Sequence, residues 1–167
     1  MCHTTFQERG KKLCNKKSTR SRIPTVEDYL ALREAVGWGR PDEQMTARGL
    51  ANALFTVCLL HNDKVIGCGR VIGDGGLYFY LQDIIVLPAF EGKGLGKRLM
   101  KAILAYLEEH ARPGAFVGLM AAKDVSSFYT QFGFAVRPSE RAYHVSPPGR
   151  ASATITSQRG ARRDTNE

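Results

Sequence analysis

The spacing of apolar residues changes several times along the chain, and each change marks a predicted element. After Pro24, the apolar positions Val26, Tyr29, Leu30, Leu32 and Val36 approximate one helical face, with Thr25 as the N-cap. Gly37-Trp38-Gly39-Arg40-Pro41 breaks that helix, and a second is predicted from Asp42 to Ala53. Phe55–Leu60 and Val65–Ile72 are apolar runs of strand length joined by the turn His61-Asn62-Asp63-Lys64. Gly73-Asp74-Gly75-Gly76 then turns the chain into Leu77–Val86, completing a meander.

Beyond residue 90 the period lengthens. Leu95, Leu99, Ile103 and Leu107 recur at a spacing of four with Tyr106 beside them, which predicts a helix with one core-facing stripe. Arg112-Pro113-Gly114 stops it, and Ala115–Met120 reads as the next strand. The last helix is predicted from Asp124, as N-cap, to Gly133, and Phe134–Val136 begins another strand. Arg141–Val145 is short for a closing strand, and Pro147-Pro148-Gly149 ends it. A meander followed by α/β units places the chain in the α+β class.

Charge divides the chain more sharply than hydropathy does. The net charge of +8 would suggest nucleic acid or an anionic surface as partner. Residues 1–22 carry +6 of it and residues 146–167 the other +2, so residues 23–145 are formally neutral. One domain over 23–145 is therefore expected between a basic disordered arm and a disordered tail rich in Ser, Thr, Arg and Ala. No base-reading motif accompanies the basic segments, so no specific nucleic-acid partner is expected. The sequence has no apolar run long enough for a signal peptide or a membrane span, which leads to a cytoplasmic expectation with no membrane partner. Cys2, Cys14, Cys58 and Cys68 lack metal-ligand spacing and are expected as reduced thiols, with no metal.

The chemistry concentrates in Ile84-Ile85-Val86-Leu87-Pro88-Ala89-Phe90-Glu91-Gly92-Lys93-Gly94-Leu95-Gly96-Lys97-Arg98, an apolar strand running through a glycine-rich turn into a helix. Successive N–H groups at such a helix start can converge on an anion, and Lys93, Lys97 and Arg98 add positive charge there. No Gly-Lys-Ser/Thr follows, which excludes a P-loop, and the spacing Gly-x-Gly-x-Gly does not fit the dinucleotide fingerprint.

The segment resembles the acyl-CoA-binding motif of the GNAT superfamily of N-acyltransferases, Gln/Arg-x-x-Gly-x-Gly/Ala between the fourth strand and third helix. Gly94 and Gly96 match, whereas Glu91 stands where the family usually has Gln or Arg. Ser127-Phe128-Tyr129-Thr130-Gln131-Phe132-Gly133-Phe134 is similar to the family's later Phe-Tyr-x-x-x-Gly-Phe segment. The resemblance implies the GNAT fold, a central, twisted, mostly antiparallel sheet flanked by helices, and acetyl-CoA as cosubstrate. It assigns cofactor binding to Ile84, Ile85 and Val86, to Glu91, Gly92, Lys93, Gly94, Leu95, Gly96 and Lys97, and to Ser127. It also implies a strand bulge beside the cofactor, where a backbone N–H near Ile85 or Val86 polarises the thioester carbonyl.

Acyl transfer to an amine requires a neutral amine, a stabilised carbonyl oxygen and a proton for the departing thiolate. Asp83, the only carboxylate in its strand, is the candidate base; the competing reading is an Asp that satisfies a neighbouring loop. Tyr129 matches the family tyrosine near the CoA sulfur and is the candidate acid, although Val125, Phe128, Tyr129 and Phe132 also follow helical packing periodicity. Trp38 and Tyr80 are the candidate acceptor-binding aromatics. The implied function is an acetyl-CoA-dependent N-acetyltransferase acting on a small primary amine by direct attack in a ternary complex, with homodimerisation allowed. A protein or peptide N-acetyltransferase and a non-catalytic CoA-binding module are the alternatives.

Overall fold

The computed structural model describes residues 17–122, 125–136 and 153–157. Its first two helices form where their caps stand. α1 (Val26–Ala35) begins with the Thr25 hydroxyl accepting from the Asp28 N–H at 3.1 Å, and α2 (Glu43–Ala51) with Asp42 accepting from the Met45 N–H at 2.8 Å. The meander follows as β2 (Phe55–His61), β3 (Lys64–Gly73) and β4 (Tyr78–Val86). α3 (Leu95–His110), β5 (Phe116–Ala121), α4 (Ser126–Thr130) and β6 (Phe134–Val136) complete the predicted order.

Two further strands correct the expected boundaries. Lys17–Ser21, within the arm expected to be disordered, forms β1 antiparallel to β2. Ala153–Ser157, within the tail expected to be disordered, forms β7 between β5 and β6. Neither segment carries the alternating large apolar residues by which strands are recognised; backbone pairing along an existing edge is enough to order them. The last helix is also shorter than expected, starting at Ser126 with Val125 in the cap position. Asp124 and Arg141–Val145 lie outside the described residues.

The sheet order is β1-β2-β3-β4-β5-β7-β6. Pairing is antiparallel through β4, as expected, and parallel from β4 onward, so the sheet is mixed. On one face α3 sets Leu95, Leu99, Met100 and Ile103 against Val57, Val71, Phe79 and Leu81. The other face packs Tyr29 and Leu32 of α1 and Leu50 of α2 against Cys58, Leu60, Cys68 and Ile85. Full burial of a side chain such as Leu99 or Ile103 stabilises by about 1.5–3 kcal/mol, so the α3 stripe alone anchors that face.

β4 serves both cores because it is bulged. Arg70 of β3 pairs with Gln82 and Cys68 with Ile85, so Asp83 and Ile84 together oppose the single residue Gly69. Asp83 adopts a left-handed backbone, φ 53°, which absorbs the extra residue. Phe79 and Leu81 ahead of the bulge face α3, whereas Asp83 and Ile85 face α1, and Ile84 and Val86 take the α3 side. Gly69 makes room for this arrangement, since a Cβ there would lie 2.9 Å from the Ile103 side chain.

Candidate functional site

β4 and β5 are paired only from Tyr78 opposite Phe116 to Leu81 opposite Leu119. Past the bulge, β4 continues to Val86 without β5 beside it, and the sheet opens. A cavity of about 500 Å3 fills the gap and reaches both faces, with Arg33, Val36 and Trp38 at one end and Glu91, Val125 and Tyr129 at the other. Asp83, Ile84, Ile85 and Val86 line its middle. The Leu87 N–H donates to the Ile66 carbonyl of β3 at 2.9 Å. Because successive N–H groups of a strand point to opposite sides, that of Val86 faces the open edge.

The glycine turn stands next to this opening. Gly94, with φ 71°, occupies the N-cap of α3, and no side chain caps the helix. The first backbone bond of α3 runs from the Arg98 N–H to the Gly94 carbonyl at 3.2 Å, leaving the three preceding N–H groups without intrahelical partners. Unpaired N–H groups at the positive end of the helix dipole suit a diphosphate, so the residues present fit the anionic part of CoA. Gly96 serves packing instead: a Cβ there would come within 3.2 Å of the Phe128 ring, so its absence lets α4 approach α3. Leu95 is buried in the core, and Lys93 folds back so that Nζ donates to the Ala89 carbonyl at 2.8 Å. Gly92 and Lys97 are exposed.

On the opposite face, side chains rather than backbone build the site. Asp83 Oδ2 accepts from Tyr29 Oη at 2.8 Å and from Arg70 Nε at 2.8 Å, with Arg70 Nη2 2.6 Å away. Asp83 Oδ1 accepts from Arg33 Nη1 at 3.2 Å. Arg70 Nη1 continues to the Gly49 carbonyl at 2.8 Å and Arg33 Nη2 to the Trp38 carbonyl at 3.2 Å, tying α2 and the Trp38 loop to the same carboxylate. Burial and the adjacent Asp83 charge push the Tyr29 hydroxyl above its ordinary pKa, so it remains a donor. Arg40 holds the loop from outside through Glu27 at 2.8 Å, Glu34 at 3.2 Å and Glu43 at 3.4 Å.

The cavity brings together Asp83, Tyr129, Ile84, Ile85, Val86, Glu91 and Trp38 of the sequence candidates. Tyr129 does two things at once: it lines the cavity and packs edge-on against Phe128 and, at 6.3 Å between ring centroids, Phe134. Burial pushes its hydroxyl up to about 12, so it is protonated at neutral pH. Tyr80 and Ser127 are not among the lining residues; Tyr80 is half-buried ahead of the bulge, and the Ser127 carbonyl accepts from Thr130 Oγ1 at 2.9 Å. Sequence reasoning missed Arg33 and Arg70. The available signal was a lone arginine inside the apolar run Val65–Ile72, a charge whose burial requires a counter-charge on a neighbouring strand.

Comparison with known proteins bears on the same opening. The family model described as Acetyltransferase (GNAT) domain matches residues 51–136, from the end of α2 to β6. A probable acetyltransferase of methicillin-resistant Staphylococcus aureus, described as of unknown function, superposes with a TM-score of 0.70 at 36% identity, over 79% of this chain and 100% of that one. An uncharacterized N-acetyltransferase of Prochlorococcus marinus is 32% identical over 64% of this chain and 61% of its own length. A histone acetyltransferase of Glycine max and a chloroplastic serotonin N-acetyltransferase of Oryza sativa are each 30% identical, over 68% and 70% of this chain and 53% and 61% of theirs. The chain thus spans between about half and three-fifths of the length of these curated relatives. Strand splay, bulge, uncapped helix start and the matched segment coincide on one stretch of backbone, and the chain belongs to the GNAT family of acetyltransferases.

Proposed function

We propose that the protein is an acetyl-CoA-dependent N-acetyltransferase acting on a small primary amine by direct attack in a ternary complex. The observation that carries this reading is the cavity that runs through the gap between β4 and β5 from the Trp38 end to Glu91, which precedes the glycine turn and the uncapped start of α3. Acetyl-CoA supplies an activated acetyl thioester. The free N–H groups at the start of α3 hold its diphosphate, and the Val86 N–H donates to the thioester carbonyl oxygen as charge develops there. The amine nitrogen bonds to the thioester carbonyl carbon as the carbon–sulfur bond breaks; Tyr129 Oη donates a proton to the departing sulfur, the nitrogen releases one to solvent, and Tyr129 regains one from solvent.

Asp83 takes a role other than base in this scheme. Its carboxylate already accepts from Tyr29, Arg33 and Arg70, so it acts as a positioning residue that fixes the floor of the acceptor end. The amine is kept neutral by its surroundings instead, since the adjacent Arg33 guanidinium disfavours an ammonium ion. A small acceptor is favoured over a protein because Trp38 lines the cavity and its loop is held in place by Arg40, which fixes that rim. The named relatives point both ways, to serotonin in one case and histones in the other.

The test is thiol release from acetyl-CoA with arylalkylamines, aromatic amino acids, polyamines and lysine peptides as acceptors. Amine-dependent release with the small acceptors is expected. Binding of acetyl-CoA without release in any case would leave a CoA-binding module, and release only with peptides would move the acceptor class.

A further inference from the structure

The acceptor end of the cavity carries a charge that the reaction above does not consume. Arg33 and Arg70 share the one carboxylate of Asp83, so the cluster bears a formal charge of +1. Both line the cavity, and the cationic partner is the more open of the two: the Arg33 side chain is 22% exposed and the Asp83 side chain 1%. Arg33 spends Nη1 on Asp83 and Tyr29 and one Nη2 hydrogen on the Trp38 carbonyl, leaving its second Nη2 hydrogen and its buried Nε–H without a partner among the described residues. Its guanidinium carbon stands 5.7 Å from the centre of the Trp38 ring, which is 41% exposed. Among the described lining residues the remaining carboxylate is Glu91, at the opposite end beside the glycine turn.

We propose that the acceptor is an arylalkyl primary amine bearing a carboxylate, its ring lying against Trp38 and its anion paired with the Arg33 guanidinium. The inference rests on the reading of the cavity as an acyl-transfer site and specifies its substrate class. A flat apolar surface beside a half-spent guanidinium matches a ring with a carboxylate attached. A polyamine fits poorly, because its second ammonium would meet Arg33 and find no free carboxylate. The same positive charge that attracts the anion disfavours protonation of the amine, so recognition and activation act in one direction.

Matched acceptors separate the two claims. Tryptophan against tryptamine, and tyrosine against tyramine, differ only by a carboxylate, and spermidine supplies the cationic extreme. The carboxylated member of each pair is expected to show kcat/KM higher by about tenfold or more, the order of effect of one charge-assisted hydrogen bond. Arg33→Gln should collapse that ratio chiefly through KM of the amino acid, and Arg33→Lys should restore part of it. An acetyl-CoA thermal shift checks that each variant is folded. Where Arg33→Gln fails to fold, calorimetry on the unsubstituted protein with CoA present compares N-acetyltryptophan and N-acetyltryptamine, and tighter binding of the former is expected. Equal use of each pair, or preference for tryptamine or spermidine, overturns the inference and leaves acyl transfer standing. No thiol release with any acceptor overturns the functional reading, and the product-binding comparison then decides the charge preference by itself.

Discussion

The two ends of the cavity are built from different materials. At the α3 end the binding groups are backbone N–H donors held by a left-handed glycine, and the neighbouring side chains are exposed or folded back. At the α1 end a buried carboxylate and three side chains from two further elements hold one another, with almost no backbone donor involved. The first arrangement tolerates most side-chain changes and is sensitive to φ. The second tolerates no loss of charge, because every member is the counter-charge or hydrogen-bond partner of another.

Removing the shared carboxylate is the most severe way to break that contrast. Asp83→Asn leaves the buried Arg70 and the half-buried Arg33 guanidinium without their anion and should destabilise by about 3–5 kcal/mol, read from urea unfolding. Unchanged stability with transfer slowed by about 10² to 10⁴ would instead identify Asp83 as the base. Tyr129 borders the α3 end, and its burial gives it a signature in alkaline solution. With its folded pKa raised to about 12 against about 10 in the unfolded chain, its contribution is complete below pH 10 and is lost as pH rises toward 12. The decline should approach about 1.4 kcal/mol per pH unit and should shrink in Tyr129→Phe, measured by denaturant unfolding from pH 9 to 11.5.

At the α3 end a backbone change should outweigh a charge change. Beyond its chain neighbours, a Cβ at Gly94 meets no atom of the described residues within 4 Å, so the cost of Gly94→Val is that of a left-handed β-branched residue, about 1–2 kcal/mol. The stabilisation that acetyl-CoA confers on melting should disappear with it, because the N–H groups lose their alignment. If the variant binds acetyl-CoA as before, the diphosphate lies elsewhere. Glu91→Gln is the finest probe: removing a negative charge near the uncapped helix start should tighten acetyl-CoA by about 0.3–1 kcal/mol in calorimetry. No change would mean that the Glu91 carboxylate points away from the bound anion.

The same contrast explains what could be read from sequence. The α3 end is contiguous, so its glycines, charges and preceding strand appear as one motif. The Asp83 cluster joins residues 13, 50 and 54 positions apart, and only the fold brings them together. Caps and periods placed α1, α2, β2, β3, β4 and α3 because those elements bury apolar faces. β1 and β7 escaped notice because backbone pairing forms them without such a face. The bulge left no mark in the burial pattern of β4, where buried residues alternate without interruption from Phe79 to Ile85.

That uninterrupted alternation hides an inversion of parity. Odd-numbered positions of β4 belong to the α3 core up to Leu81 and to the α1 core from Asp83 onward. Deleting Ile84 would therefore leave Asp83 alone opposite Gly69 and turn it toward α3, away from the arginines, while Ile85 stays opposite Cys68 and in the α1 core. One residue of chain length, rather than any particular side chain, sets this carboxylate among the arginines.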